Sequence, residues 1–253
     1  MPLTVHQFPC LEDNYGFLVR DEASGLAACI DTPDAEAILR ELSRLGWRLD
    51  MILNTHWHPD HAGGNQAVAA ATGARAVGPA EVTRIAKLDR EVRGGDHVLL
   101  GETRFEVIET GGHTLGHIAY YDAGDRIVFV GDTLFALGCG RLFEGPPDQM
   151  WASLQRLAGL PEETRVYCAH EYTASNARFA LSIDDDPAVT SRTAAVFAAR
   201  ARGEPTVPTT IGLEKATNPF LRAPQLAGRV GAAGQPDFQA FAAVRAAKDA
   251  FKG

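Results

Sequence analysis

The chain has 253 residues, 45% of them hydrophobic and 22% charged, the balance of a globular protein with a sizeable core, long enough for one large domain or two smaller ones. Lys and Arg number 24 against 32 Asp and Glu, a formal charge of -8, so no global basic field recommends nucleic acid or an anionic membrane as a partner. No run of about 18 apolar residues occurs, MPLTVHQFPC lacks the basic-then-apolar order of an export signal, and the four cysteines show no CxxC spacing; a soluble, cytoplasmic protein is expected.

Along the first 170 residues, short apolar runs alternate with turns. FLVR (17–20), LAACID (26–31), MILN (51–54), RAVG (75–78), FEVIET (105–110), IAYYD (118–122), RIVFVGD (126–132) and RVYCAH (165–170) read as strands from their apolar and β-branched content. Several end directly in polar residues. Helical spacing marks DAEAILRELSRL (34–45), stopped by Gly46, then a segment from Asn65 to Thr72 stopped by Gly73, and a third from Gln149 to Leu157. After His170 the chain turns Ala-rich and helical, broken by Pro and Gly loops. Two domains are expected, 1–172 and 173–253.

The chemistry concentrates in NTHWHPDHAGG (54–64), which follows the strand MILN in a loop rigid at its base. His56 and His58, two apart, face one way if extended; Asp60 and His61 face another. His113 follows FEVIETGG, Asp132 ends RIVFVG and His170 ends RVYCA, so each also terminates a predicted strand. Taken singly a histidine is more often a surface or satisfied core group than a ligand, but this clustering is not the pattern of a solvated loop. Seven donors exceed the four of one tetrahedral zinc and suit two ions. The natural partition gives His56, His58 and His113 to one ion and Asp60, His61 and His170 to the other, with Asp132 bridging. Zinc is expected, and iron or manganese accept the same ligands. His117 is read as orienting a neighbour; His6 and His97 are given no role, and Cys29 and Cys168 are read as core residues.

With its HxHxDH loop at 56–61 the chain resembles the metallo-β-lactamase superfamily, which implies an α+β, four-layer αββα sandwich with the metals at one edge of two sheets, followed here by a helical subdomain. Longer stretches narrow the resemblance. GDTLFALGCGRLFEG (131–145), AHEYTASNARFA (169–180), TNPFLR (217–222) and AVRAAKDAFK (243–252) are similar to the glyoxalase II family, the hydroxyacylglutathione hydrolases. That resemblance implies hydrolysis of S-D-lactoylglutathione to D-lactate and glutathione by a metal-bound hydroxide, with His56, His58, Asp60 and Asp132 as catalytic groups. It carries glutathione binding onto Arg141, Phe143, Tyr172, Arg245 and Lys248, with Gly140 and Leu142 lining the approach. Some relatives have tyrosine where this chain has Phe143, which removes a hydroxyl contact. Arg245 and Lys248, three apart on one helix face, would form a local basic rim suited to an anionic thioester. A monomer acting on a small molecule is expected, without nucleic acid or membrane. The alternatives are a mono-iron persulfide dioxygenase, a lactonase or β-lactamase of the same superfamily, or a non-catalytic metal binder; the complete second ligand set argues against the first, and neither a lactone nor a β-lactam substrate explains the basic C-terminal rim.

Overall fold

Four strands run parallel in the first sheet, and their connections decide which end carries chemistry. The computed structural model describes residues 2–253, which divide into two compact units: one through Thr110 together with Gly116–Gly131, the other Gly111–Leu115 together with Asp132–Gly253.

In the first unit, β1 (Leu3–Cys10), β2 (Asn14–Asp21), β3 (Ala27–Ile30), β4 (Met51–Leu53), β5 (Arg75–Gly78) and β6 (Arg90–Glu91) form one sheet in chain order. β1, β2 and β3 pair antiparallel, whereas β3 to β6 are parallel. Parallel neighbours need crossovers, here α1 (Ala35–Leu45) and then α2 (Pro59–Ala62) with α3 (Asn65–Thr72). Asp34 caps α1 by accepting from the Ala37 amide, and Gly46 ends it in the left-handed region. Its buried face, Ala37, Ile38 and Leu42, packs with Leu18, Cys29, Ile52 and the α3 residue Val68.

The opposite face of this sheet meets an antiparallel meander of β7 (His97–Leu100), β8 (Thr103–Glu109), β9 (Ile118–Asp122) and β10 (Ile127–Gly131). Phe17 lies 5.6 Å from Phe129, which in turn stacks edge-on with Phe105. The buried Tyr120 hydroxyl donates to the Asn54 carbonyl at 2.8 Å, tying the two sheets where the metal loop begins. Being covered on both sides, β2, β3 and β4 read as continuous apolar runs rather than as alternation. Since β3 and β4 are parallel, Asp31 and Asn54–His56 emerge at one edge.

The second unit contains the hairpin β11 (Leu134–Phe135) and β12 (Gly138–Cys139), the pair β13 (Arg165–Cys168) and β14 (Thr209–Thr210), and helices α4 (Pro147–Ala158), α5 (Thr173–Ile183), α6 (Pro187–Ala201), α7 (Ile211–Thr217), α8 (Ala223–Leu226) and α9 (Asp237–Ala250). Leu137, Ala177, Ala180, Val189 and Val196 form one of its apolar cores.

Several elements differ from the sequence expectation. The strands β1 and β7 and the two-residue strands β6, β11, β12 and β14 are not anticipated; β1 carries Pro9, which an edge strand tolerates, and β7 is only four residues long and half buried. Residues 59–62, expected as loop, form a helical turn with Pro59 at its start, where the missing amide costs nothing.

At the far end of β2, the buried Asp21 carboxylate accepts from the Ser24 hydroxyl and amide, the Glu102 amide and the Thr103 hydroxyl, clamping the sheet to the meander. Burial pushes its carboxyl up, but these bonds outweigh it and hold the group below the usual carboxylate range. Asp21→Ala is expected to lower the unfolding free energy at pH 7 by about 3 kcal/mol, read from denaturant midpoints. A depressed carboxyl stabilises above its unfolded value of about 3.9, so the wild-type advantage persists to that pH and disappears as pH falls through the folded value.

Candidate metal centre and adjoining cavity

In the first unit the metal loop is organised by an acid that the sequence reading did not single out. Asp31 follows β3, takes a positive φ of 58° and is buried. One oxygen accepts from the Thr55 amide at 2.7 Å; the other accepts from the Thr55 hydroxyl at 2.7 Å and from His61 Nδ1 at 2.8 Å. The strained backbone is held by three donors, the usual circumstance for strain at a functional site. Because Thr55 Oγ1 gives its proton to Asp31, it accepts from His56 Nδ1 at 3.1 Å. Both rings thereby carry their proton on Nδ1 and turn Nε2 into the site, the tautomer a metal ligand needs.

His56 Nε2 and His58 Nδ1 converge to 3.1 Å. At that separation the two nitrogens either share an N–H···N hydrogen bond, His56 Nε2 accepting from His58 Nδ1, or direct both lone pairs at one cation. Asp60 Oδ2 lies 3.6 Å from His61 Nε2 and accepts from Asn14 Nδ2 at 3.2 Å. His61, His56 and Asp31 present ligand atoms all within 4.8 Å of one another, but the Asp31 oxygens are already engaged by three donors, so its part is to orient. His117 stacks on His56 with ring centroids 4.6 Å apart, and its Nδ1 bonds the Thr110 hydroxyl at 2.9 Å. Gly131, at φ 48°, leaves room for this: a Cβ there would come within 2.6 Å of Thr55 Oγ1 and 2.7 Å of His117 Nε2.

The other three expected donors lie in the second unit. His113 Nδ1 donates to the Arg141 carbonyl at 2.8 Å, leaving Nε2 3.4 Å from Asp132 Oδ2. His170 Nε2 lies 3.3 Å from Asp132 Oδ1, so the two Asp132 oxygens face different imidazoles. All three residues are buried. Gly140 is required beside them, since a Cβ would meet the Asp132 carbonyl at 2.0 Å. Buried imidazoles and carboxylates crowded at such distances fit divalent cations, not an apolar core.

The hairpin leading to Gly140 is fixed from below by the TNPFLR segment. Asn218 Nδ2 donates to the Phe135 and Gly138 carbonyls, and fully buried Glu214 accepts from the Leu137 amide, Thr209 and Arg192. These long-range bonds explain a sequence stretch that carries no chemistry itself.

A cavity of about 480 Å³ in this unit is lined by His113, Asp132, Arg141, Phe143, Tyr172 and residues of α9. Tyr172 stacks on His170 at 4.7 Å and 3°, and Phe143, 63% exposed, meets His113 edge-on at 5.2 Å. Lys248 Nζ donates to the Ser175 carbonyl and hydroxyl and lies over Phe179 and Phe251. Burial and the neighbouring Arg245, Arg178 and Arg141 guanidiniums push its ammonium down to about 8. Arg245 does not stand on an exposed rim: it is buried against Phe220 and donates to the Cys139 carbonyl at 3.0 Å and to Asp249 at 2.8 Å. Cys139 also lines the cavity, its thiol pushed up to about 11 by burial despite Arg245, so it is a protonated wall and not a nucleophile. Cys29 and Cys168 are buried, as expected.

Comparison with known proteins agrees with this architecture. The metallo-beta-lactamase superfamily model matches residues 29–170, and the hydroxyacylglutathione hydrolase C-terminus model matches 171–251. Hydroxyacylglutathione hydrolase of Maricaulis maris (strain MCS10) is 56% identical, covering 98% of this chain and 99% of its own. That of Erythrobacter litoralis (strain HTCC2594) is 52% identical over 98% and 100%. Among solved structures, ETHE1 from Myxococcus xanthus superposes with a TM-score of 0.68 at 30% identity over 97% of this chain and 98% of its own. TTHA1623 in a di-iron-bound form gives 0.62 at 28% identity over 86% and 100%. Matched by both models and by relatives along nearly its whole length, the chain belongs to the metallo-β-lactamase superfamily and, within it, to the hydroxyacylglutathione hydrolases.

Proposed function

We propose that this enzyme hydrolyses S-D-lactoylglutathione and related S-2-hydroxyacylglutathione thioesters to the free acid and glutathione, the second step of methylglyoxal detoxification. It would act as a cytoplasmic monomer, with residues 1–172 as catalytic domain and 173–253 as substrate-binding domain. The observation that carries the reading is the cavity of the second unit: Arg141, Arg245 and Lys248 line the same recess as His113 and Asp132, so cationic groups adjoin hydrolytic ligands on a protein of net charge -8.

His56, His58 and His113 would hold one divalent ion and Asp60, His61 and His170 the other, with Asp132 shared; zinc suits these donors, as do iron and manganese. Bound there, the ions supply a hydroxide nucleophile at neutral pH and Lewis-acid polarisation of a carbonyl. The chain's own residues do the rest. Asp31 and Thr55 keep the His61 and His56 rings in the ligating tautomer, and the Arg141 carbonyl does so for His113. Asp60, steadied by Asn14, takes the proton of the attacking water on its carboxylate. Arg141 and Lys248 hold the carboxylates of the glutathionyl group, while Tyr172 and Phe143 wall the thioester. The C–S bond breaks to a thiolate whose conjugate acid has a pKa of about 8.5, so departure needs no separate proton donor.

The direct test is hydrolysis of S-D-lactoylglutathione, with metal content measured on the same sample. Turnover is expected; protein carrying about two metals per chain and no turnover would remove the substrate assignment. Asp31→Ala is expected to weaken metal affinity about 10- to 100-fold in competition with a chromogenic chelator. Unchanged affinity would mean that Asp31 does not set the ligands. For Lys248 the charged form lies below its pKa of about 8, so kcat/KM for glutathione thioesters should fall as pH rises through that value. Lys248→Arg should abolish this fall, because a guanidinium stays charged across the range, whereas coincident profiles would deny Lys248 a binding charge.

A further inference from the structure

One carboxylate stands among the cations of the cavity. Asp249, in the last turn of α9, faces the recess with Arg141, Arg245 and Lys248, and the only other acid lining it is Asp132. Its Oδ1 accepts from Arg245 Nη2 at 2.8 Å and lies 4.0 Å from Arg141 Nε. Its Oδ2 has no hydrogen-bond partner, and the side chain is 47% exposed.

A site selected only for anionic ligands would gain from losing this acid, because its charge opposes every carboxylate that enters. Folding accounts for one oxygen only: Oδ1 neutralises the buried Arg245 guanidinium, which is also held by the Cys139 carbonyl and the Phe220 ring, and Oδ2 takes no part in that brace. Asp249 Oδ1 serves both Arg245 and Arg141, so three cations face one carboxylate, an excess of two positive charges beside one open carboxylate oxygen. A ligand matching that pattern has two carboxylates and one ammonium. Glutathione has that pattern: the γ-glutamyl end carries an α-carboxylate and an α-ammonium, and the glycyl end carries the second carboxylate.

We infer that Asp249 is a specificity-determining residue that receives the α-ammonium of the γ-glutamyl group on Oδ2. It acts on binding and not on the chemical step, and it selects zwitterionic thiol conjugates over purely anionic ones. The inference rests on the glutathione thioester reading given above.

The test pairs two substrates with two variants. The second substrate is the glutaryl analogue of S-D-lactoylglutathione, which keeps both carboxylates and the thioester but lacks the amino group. Wild-type enzyme should favour the ammonium substrate by about tenfold in kcat/KM, the weight of one charge-assisted hydrogen bond. Asp249→Asn should bring the two substrates level, with kcat nearly unchanged, and Asp249→Glu should restore the preference. A purely structural Asp249 would lower both substrates by the same factor, and that result overturns the inference. So does a wild-type enzyme that treats the two alike. Turnover of neither glutathione thioester by the metal-loaded wild type removes the substrate reading and this inference with it; turnover of both without preference removes this inference alone.

Discussion

The Asp31 carboxylate is the constraint on which the first half of the site depends. It follows a parallel strand, and its two oxygens collect the backbone and hydroxyl of Thr55 and the ring of His61. One acid therefore fixes the start of the metal loop, its last histidine and, through Thr55, the ring of His56. The acid must be buried to do this, and it is tolerated because all its near neighbours are donors. Its left-handed backbone is the cost of aiming a side chain back across the edge of the sheet. Where a ligand's second nitrogen is fixed in advance, a cation meets prepared lone pairs and does not have to reorganise the protein.

The second unit reaches the same end by a different route. Its donors lie on segments with little regular structure, and Glu214 in α7 and Asn218 just after it hold the hairpin that follows Asp132, by accepting from Leu137 and donating to Phe135 and Gly138. The cavity wall is thus built from the chain between 132 and 143 and from α5 and α9. An arginine that looks like a recognition group in the sequence, Arg245, proves to be partly a brace, linking α9 to Cys139. Its neighbours Lys248 and Arg141 are left to carry charge into the recess.

How far the sequence could be read follows from the range of the interactions involved. HxHxDH is local, so its ligands stand out without knowledge of the fold, and the strand-end placement of His113, Asp132 and His170 follows from apolar runs a few residues long. Asp31 ends its strand by the same rule, in LAACID, yet has no histidine beside it; only the parallel pairing of β3 with β4 brings it to Thr55. The burial of Arg245 was equally illegible, since helical spacing gives a face but not what covers it, and Phe220 lies 25 residues away in the chain. β1 was missed because its alternation is interrupted by Pro9, which only an edge position excuses. The α+β architecture and helical C-terminal region were legible because apolar runs and Ala-rich periodicity are themselves the residues that form the cores.

Two sets of pre-oriented ligands are proposed to serve two ions. Metal analysis of the wild type beside His58→Ala and His170→Ala tests this most directly, with circular dichroism to confirm folding. The wild type should carry about two equivalents and each variant about one, as expected when one ligand is withdrawn from one ion of a pair. Two equivalents retained by either folded variant would contradict the assignment.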